Sequence, residues 1–296
     1  MTVTTASAEE RRREKTLSGR IVNALNRAPI HIALAFIALI WLVPTVGLLV
    51  TSFRPAADMR ATGWWEAIFT MRFTLANYET VLAARGLGDA FINTVIITIP
   101  STILPVLFCA FGAYAFSWLR FPFRDTLFLV VVAMLMIPVQ VAFIPLLTMF
   151  RPTGLLQSYG AVWLAHTAFA LPFGIFLLRN FFITLPKDLI EAARIDGAST
   201  WGIFRTIVVP LSVPAIAAYG IFQFLWVWND LLMALVFVQR GDQWPMTRAV
   251  QALLSQYGNE WHLLAAGAFL LMVVPMLVFF ALQRYFVQGL LAGSVK

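Results

Sequence analysis

The feature that most limits what this chain can become is its division into long apolar stretches. Crossing roughly 30 Å of hydrocarbon takes about 20 helical residues. Six stretches reach that length: Ile30 to Ser52, Asp89 to Trp118, Thr126 to Phe150, Tyr159 to Phe182, Leu211 to Val238 and Leu263 to Phe286. Inside a bilayer each backbone N–H and C=O must find a partner within the protein, and a helix supplies those partners segment by segment. The pattern therefore predicts an all-α, polytopic membrane protein with six transmembrane helices. Composition agrees, since 60% of the residues are hydrophobic and 12% charged, against about 45–50% and 25% in soluble domains.

Charge placement predicts the orientation. With the N-terminus in the cytoplasm, 14 of the 21 Lys and Arg fall inside and seven outside, the bias expected of an N-in, C-in protein. The net charge of +7 is explained by topology rather than by nucleic acid, because the basic residues flank apolar stretches instead of forming a basic domain interleaved with aromatics. The layout that follows is a basic cytoplasmic tail over 1–29, a six-span domain over 30–286 that includes a cytoplasmic loop at 183–210, and a cytoplasmic tail over 287–296. The first stretch is too long for a signal-peptide core and no small-residue cleavage site follows it, which predicts an uncleaved anchor. Each stretch also carries proline, among them Pro44, Pro100, Pro105, Pro138, Pro145, Pro172, Pro214 and Pro275. Two readings stand: the ordinary tolerance of membrane helices for proline, or helices bent around a path. Outside, Leu75, Tyr78, Val81 and Leu82 share a helical face, and together with Trp64 and Trp65 the segment either rests on the membrane surface or meets a partner. The lone Cys109 reads as a packing residue.

The loop at 183–210 is the most informative segment. Pro186 and Asp188 are helix-start signals, and Gly197 is a left-handed stop. Ser199 can cap a second short helix carrying Trp201, Phe204, Ile207 and Val208. A helix this short is marginal alone in water. Either the membrane domain or a partner must pack on it.

The string Glu191-Ala192-Ala193, then Gly197, Ile207 and Val209-Pro210, resembles the EAA loop of ABC importer permeases, with Val209 where that family usually has Leu. The resemblance runs from Asn77-Tyr78 to the closing Gln283 to Lys296 and points to the MalG-like, carbohydrate-uptake branch. It implies a type I ABC importer permease fold in the bacterial cytoplasmic (inner) membrane. The implied partners are a second, MalF-like permease, two cytoplasmic ATPase subunits and an extracytoplasmic solute-binding protein, with a sugar as substrate. It further implies that Glu191 is the polar contact to the ATPase, that Ala192 and Ala193 let the helix seat, and that Gly197 sets the turn. Arg194 and Asp196 either join that contact or are solvated charges. Gln288, Gly289 and Lys296 either reach the ATPase or belong to a frayed end.

Burying a polar group in a membrane is costly and usually functional. Asp230 is the carboxylate that falls inside a stretch, toward the outer part of the fifth, and His166 lies at similar depth in the fourth. Gln223, Trp226, Trp228, Asn229 and Asp230 combine the amide, carboxylate and aromatic chemistry that suits a sugar. The Trp-Asn-acid run also resembles the fifth span of sugar permeases, where it lies near the path or gate. The alternative is that these groups satisfy each other, or a partner permease, at a helix interface. No catalytic constellation, metal-ligand spacing or cofactor motif is present, and the chain has no GxxxxGK[ST] of its own. The expected cargo is a mono- or oligosaccharide, with α-glucosides of the maltose or trehalose kind among the candidates. Competing readings are the same role for a solute such as glycerol phosphate, or an ion-coupled carrier, which would call for inverted repeats.

Overall fold

Some of the apolar stretches form continuous helices and others are bent or broken. The computed structural model describes residues 17–59, 61–84, 86–256 and 260–292, with side chains over 28–59, 61–84, 86–254 and 260–284. Among the described residues there are helices and connecting turns and no β-strand.

The N-terminal unit, residues 1–74, is built on α1 (Leu17–Ser52), whose Ala28–Ser52 portion is apolar and long enough to span. The helix starts inside the expected basic tail, so the non-helical part of that tail is shorter than 1–29, and residues 1–16 lie outside the described residues. Arg54, counted from sequence as an outside charge, is buried and serves as a loop staple. Its Nη2 donates to the carbonyls of Asp58 and Thr62 at 2.8 and 3.0 Å and to Thr62 Oγ1 at 2.6 Å. Trp64 lies over Gly47, where a Cβ would come within 3.2 Å of the indole. Close approach explains the glycine there.

The second unit, residues 75–296, opens with a short helical stretch over Ala76–Glu79 and Thr80–Ala84 and continues in α2 (Leu87–Trp118), which runs unbroken through Pro100 and Pro105. Next come α3 (Arg124–Ala133) and α4 (Phe143–Phe150). The stretch Thr126 to Phe150 is bent, the chain turning by 98° between Arg124–Met136 and Val139–Thr153. Pro138 is the cause: it has no N–H to donate and holds Ile137 extended at φ −84°, ψ 120°. The helix α5 (Gly160–Phe182) is straight enough to count as one span despite Pro172.

After α5 the chain forms α6 (Lys187–Ile195) and α7 (Thr200–Ile203), the latter continuing through a wide π-type turn over Phe204–Val208. It then bends by 77° into α8 (Val213–Trp228), with Pro214 in the first turn. Within the expected stretch Leu211 to Val238 the helix stops at Trp228, and a separate short helix, α9 (Leu232–Phe237), follows. Then come α10 (Met246–Gln256) and α11 (Trp261–Ala292). The described residues hold four candidate spans, or six if each bent pair counts as one.

In this unit α2 packs along α5 and α8, and α8 packs along α11. The tightest approach is at Gly174 of α5, where a Cβ would sit 2.4 Å from both Cys109 Sγ and Tyr219 Oη. Val81 is buried with Leu87, Met246 and Leu264, while Leu75 and Leu82 are exposed. That corrects the reading of these residues as one face lying on the membrane: the protein itself covers Val81.

Candidate functional site

Two places in the second unit gather the singled-out residues. The first is the knob made by α6 and α7. Pro186 stands just before α6 at φ −57°, Asp188 lies in its first turn, and Gly197 closes the end at φ +79°, a conformation open to glycine at little cost. Ser199 caps α7, its Oγ accepting the Gly202 N–H at 3.0 Å. The question of what packs on so short a helix has a two-sided answer. Ile190 is 1% exposed and joins a core with Tyr114, Phe182, Ile203 and Phe204, while Ile195 is 86% exposed and Leu189 is exposed beside it.

Glu191, Ala192, Asp196 and Gly197 lie on the open side, and Ala193 is half-buried. Arg194 is exposed along its stem, yet its Nη2 donates to the Trp118 carbonyl at 2.9 Å. Of its two sequence readings, solvated charge or ATPase contact, neither includes this bond to the end of α2. Leu189 and Ile195 were missed as surface candidates. The signal was present, because Leu189, Ile190, Ala192, Ala193 and Ile195 spread over more than half of the circumference of α6. An apolar arc that wide is more than one packing partner covers. Gln288 and Gly289 lie in the last turns of α11, their side chains outside the described residues, and Lys296 is outside the described residues altogether.

The second place is the break between α8 and α9. Here Asp230 Oδ2 accepts the N–H groups of Met233 and Ala234 at 2.9 and 3.2 Å, so the carboxylate caps α9. His166, 2% exposed, brings Nε2 to 3.8 Å from the same oxygen. The shared depth expected of these two residues from helical rise corresponds to direct proximity. Thr247 Oγ1 donates to the Asp230 carbonyl at 2.8 Å. At the other end of α9, Arg248 Nη1 donates to the carbonyls of Ala234 and Val238, with its guanidinium 4.2 Å from the Trp244 ring centroid. An anion at the N-terminus and a cation at the C-terminus are the arrangement a helix dipole favours.

The remaining members of the aromatic and amide cluster point in different directions. Gln223 is buried and donates from Nε2 to the Ser101 carbonyl of α2 at 3.1 Å. Trp228 is buried, donates from Nε1 to the Leu271 carbonyl of α11 at 2.9 Å, and stacks on Phe224. Asn229 is exposed and folds back on its own helix, its Nδ2 donating to the Leu225 carbonyl at 2.8 Å. It therefore does not pair with Asp230, as the interface reading had allowed. Trp226 lines an apolar cavity of about 550 Å³ with Met134, Pro138, Phe169 and Phe222. Among the described residues no group of three or more His, Cys, Asp or Glu is arranged to hold a metal ion.

Against known proteins, residues 107–291 match the family described as the binding-protein-dependent transport system inner membrane component. The chain belongs to that family. It is an inner-membrane transport component, and its relatives match along most of their length. The osmoprotective compounds uptake permease GgtD of Synechocystis sp. is 51% identical over 275 residues, covering 91% of this chain and 92% of that protein. The alpha-glucoside transport system permease AglG of Rhizobium meliloti is 48% identical, over 83% of this chain and 68% of its own length. The melibiose/raffinose/stachyose import permease MelC of Bacillus subtilis is 32% identical over 96% and 99%. A chain from the crystal structure of a bacterial ABC transporter involved in import of the polysaccharide alginate superposes with a TM-score of 0.66 at 15% identity, covering 90% of this chain and 98% of that one. At that identity the likeness is one of fold.

Proposed function

We propose that this chain is a permease subunit of an ATP-driven, binding-protein-dependent importer of sugars. It crosses the membrane six times with both ends in the cytoplasm, if each bent pair serves as one span. The 14-to-7 distribution of basic residues supports that orientation. The domain layout is a cytoplasmic tail over 1–29 whose later part is helical, a six-span body over 30–286 and a terminal tail over 287–296. The chain forms half of the path. A second permease forms the other half, and two ATPase subunits and a solute-binding protein complete the complex.

The observation that carries this reading is the knob: anchored from below by Ile190, it presents Glu191, Ala192, Leu189 and Ile195 outward on an otherwise short and marginal helix. That surface is where the ATPase docks, with Gly197 setting the turn. Asp196 stands at its edge. The α-glucoside and melibiose/raffinose/stachyose names of the relatives support an oligosaccharide with α-glycosidic linkages as cargo. Asp230, His166, Asn229 and Trp226 lie at or beside the outer break that gates the path.

The test is reconstitution of the four-component complex in liposomes, with uptake of radiolabelled maltose or trehalose measured with and without internal ATP. Uptake that needs ATP and the binding protein is expected. Replacing Leu189 to Gly197 with a Gly/Ser linker abolishes it while leaving membrane insertion intact. Transport by the purified chain alone, driven by an ion gradient, would sink the proposal in favour of a secondary carrier.

A further inference from the structure

The helix α2 is latched at both ends to elements far from it in sequence. At the inner end Arg194 Nη2 donates to the Trp118 carbonyl at 2.9 Å and Tyr114 Oη donates to the Thr200 carbonyl at 3.0 Å, across separations of 76 and 86 residues. These contacts are tertiary choices, not consequences of connectivity. The Trp118 carbonyl is one of the last in its helix, which have no intrahelical partner, so a cation there satisfies both the acceptor and the dipole. Aromatic rings reinforce the junction: Phe111 meets Trp201 and Phe204 with centroids 5.9 and 5.2 Å apart, and Tyr114 meets Phe204 at 5.1 Å.

At the outer end Asn93 Nδ2 donates to the carbonyls of Asp242 and Trp244 at 2.9 and 3.1 Å. The Met246 N–H donates to the buried Thr94 Oγ1 at 2.8 Å. That segment leads directly into α10, whose Thr247 and Arg248 hold Asp230 and the end of α9. The helix α2 runs 32 residues without a break, and the part from Asn93 to Trp118 that separates the latches covers about 38 Å at 1.5 Å per residue. The routes through α3–α4 and α7–α8 are interrupted by bends of 98° and 77°.

We propose that α2 is the rod that carries movement of the cytoplasmic knob to the outer loop pinning α9. Arg194 and Tyr114 are the positioning residues that latch its inner end, and Asn93 and Thr94 those that latch its outer end. The proposal rests on the importer reading above. Packed helices respond to displacement as units rather than by continuous deformation. A push on the knob that swivels it about Ile190 does no work at the outer face, whereas a knob hydrogen-bonded to the end of α2 must take the helix with it. The outer latches transmit that shift to α10, and through Thr247 and Arg248 to the helix that Asp230 caps.

The experiment uses the assembled complex in liposomes and measures solute imported per ATP hydrolysed for Tyr114→Phe and Thr94→Val, singly and together. Both are expected to insert, to keep their ATPase subunits on co-purification, and to hydrolyse ATP. Each is expected to lower the solute-to-ATP ratio by about twofold to thirtyfold, the range found for residues along coupled networks. The double variant is expected to be no worse than the poorer single, because the two residues interrupt one route. Thr94→Ser, which keeps the hydroxyl, restores the ratio, and if it behaves like valine the latch is not the cause and the proposal falls. A ratio unchanged in both singles overturns the rod. So does a loss confined to Tyr114→Phe and accompanied by loss of the ATPase subunits, which is the signature of docking alone. A wild-type complex that imports solute without ATP would overturn the importer reading itself, and the rod with it.

Discussion

Replacing Asp230 by alanine and by asparagine separates its two structural relations. The carboxylate caps α9 through two N–H groups at 2.9 and 3.2 Å, and it faces His166 Nε2 at 3.8 Å, beyond hydrogen-bond distance. Removing an N-cap costs about 0.5–2 kcal/mol. Leaving donors unsatisfied in a site where the side chain is 11% exposed places the loss toward the upper end, so Asp230→Ala should destabilise the fold by about 2 kcal/mol. That is about a 30-fold change in the unfolding equilibrium. Asparagine caps nearly as well as aspartate, so Asp230→Asn should cost under about 0.5 kcal/mol if the cap is what matters. Loss of helical circular dichroism during SDS titration of the detergent-solubilised chain reads both values. Equal destabilisation by the two substitutions would refute the capping argument and give the weight to charge, in which case Asp230→Asn would cost little in a His166→Ala background.

Other outcomes follow from burial and backbone geometry. Ile195→Asp should abolish co-purification of the ATPase subunits while leaving the thermal unfolding of the isolated permease unchanged, since Ile195 is open to solvent; Ile190→Asp should instead destabilise the chain by about 3 kcal/mol or more, through an unpaired charge in the core. Gly197→Ala should cost about 1 kcal/mol, because φ is +79° but an added Cβ meets nothing within 4 Å; a denaturant titration giving 3 kcal/mol or more would mean a steric contact the geometry does not contain. Gly174→Ala should destabilise by about 1–3 kcal/mol by forcing α5 away from Cys109 and Tyr219, and a thermal midpoint equal to wild type would show that α2, α5 and α8 are not packed as described.

How legible the molecule was depends on the range of the interaction involved. The helix signals around the knob are local, and Gly197 and Ser199 occupy the positions their chemistry dictates. The depth of Asp230 and His166 followed from helical rise alone, because each lies on a regular helix or at its end. What sequence did not reveal was where a proline merely bends a span and where it breaks one. Pro100, Pro105, Pro172 and Pro275 sit inside continuous helices, whereas Pro138 turns the chain by 98°. The difference lies in whether neighbouring helices re-satisfy the freed carbonyls, and that is a tertiary property. The dispersal of Gln223 and Trp228 into separate packing contacts has the same origin. Their spacing puts them near one another along α8, but α2 and α11 approach that helix from different sides and each claims one of them. The bond from Arg194 to Trp118 spans 76 residues, a distance at which no spacing rule operates.

The double pinning of α9 also bears on how the chain is made. His166 is synthesised before Asp230, so the carboxylate meets its neighbour as soon as both helices are in the membrane. Two further groups come later: Thr247, which holds the Asp230 carbonyl at the same end, lies 17 residues beyond it, and Arg248, which holds the other end, lies 14 residues beyond Ala234. Until they emerge from the ribosome, α9 has one end fixed and the carbonyls of the other end open. With six residues it is too short to hold its shape alone. Closure around α9 is therefore expected late in biosynthesis, when α10 reaches back to clasp a helix made before it.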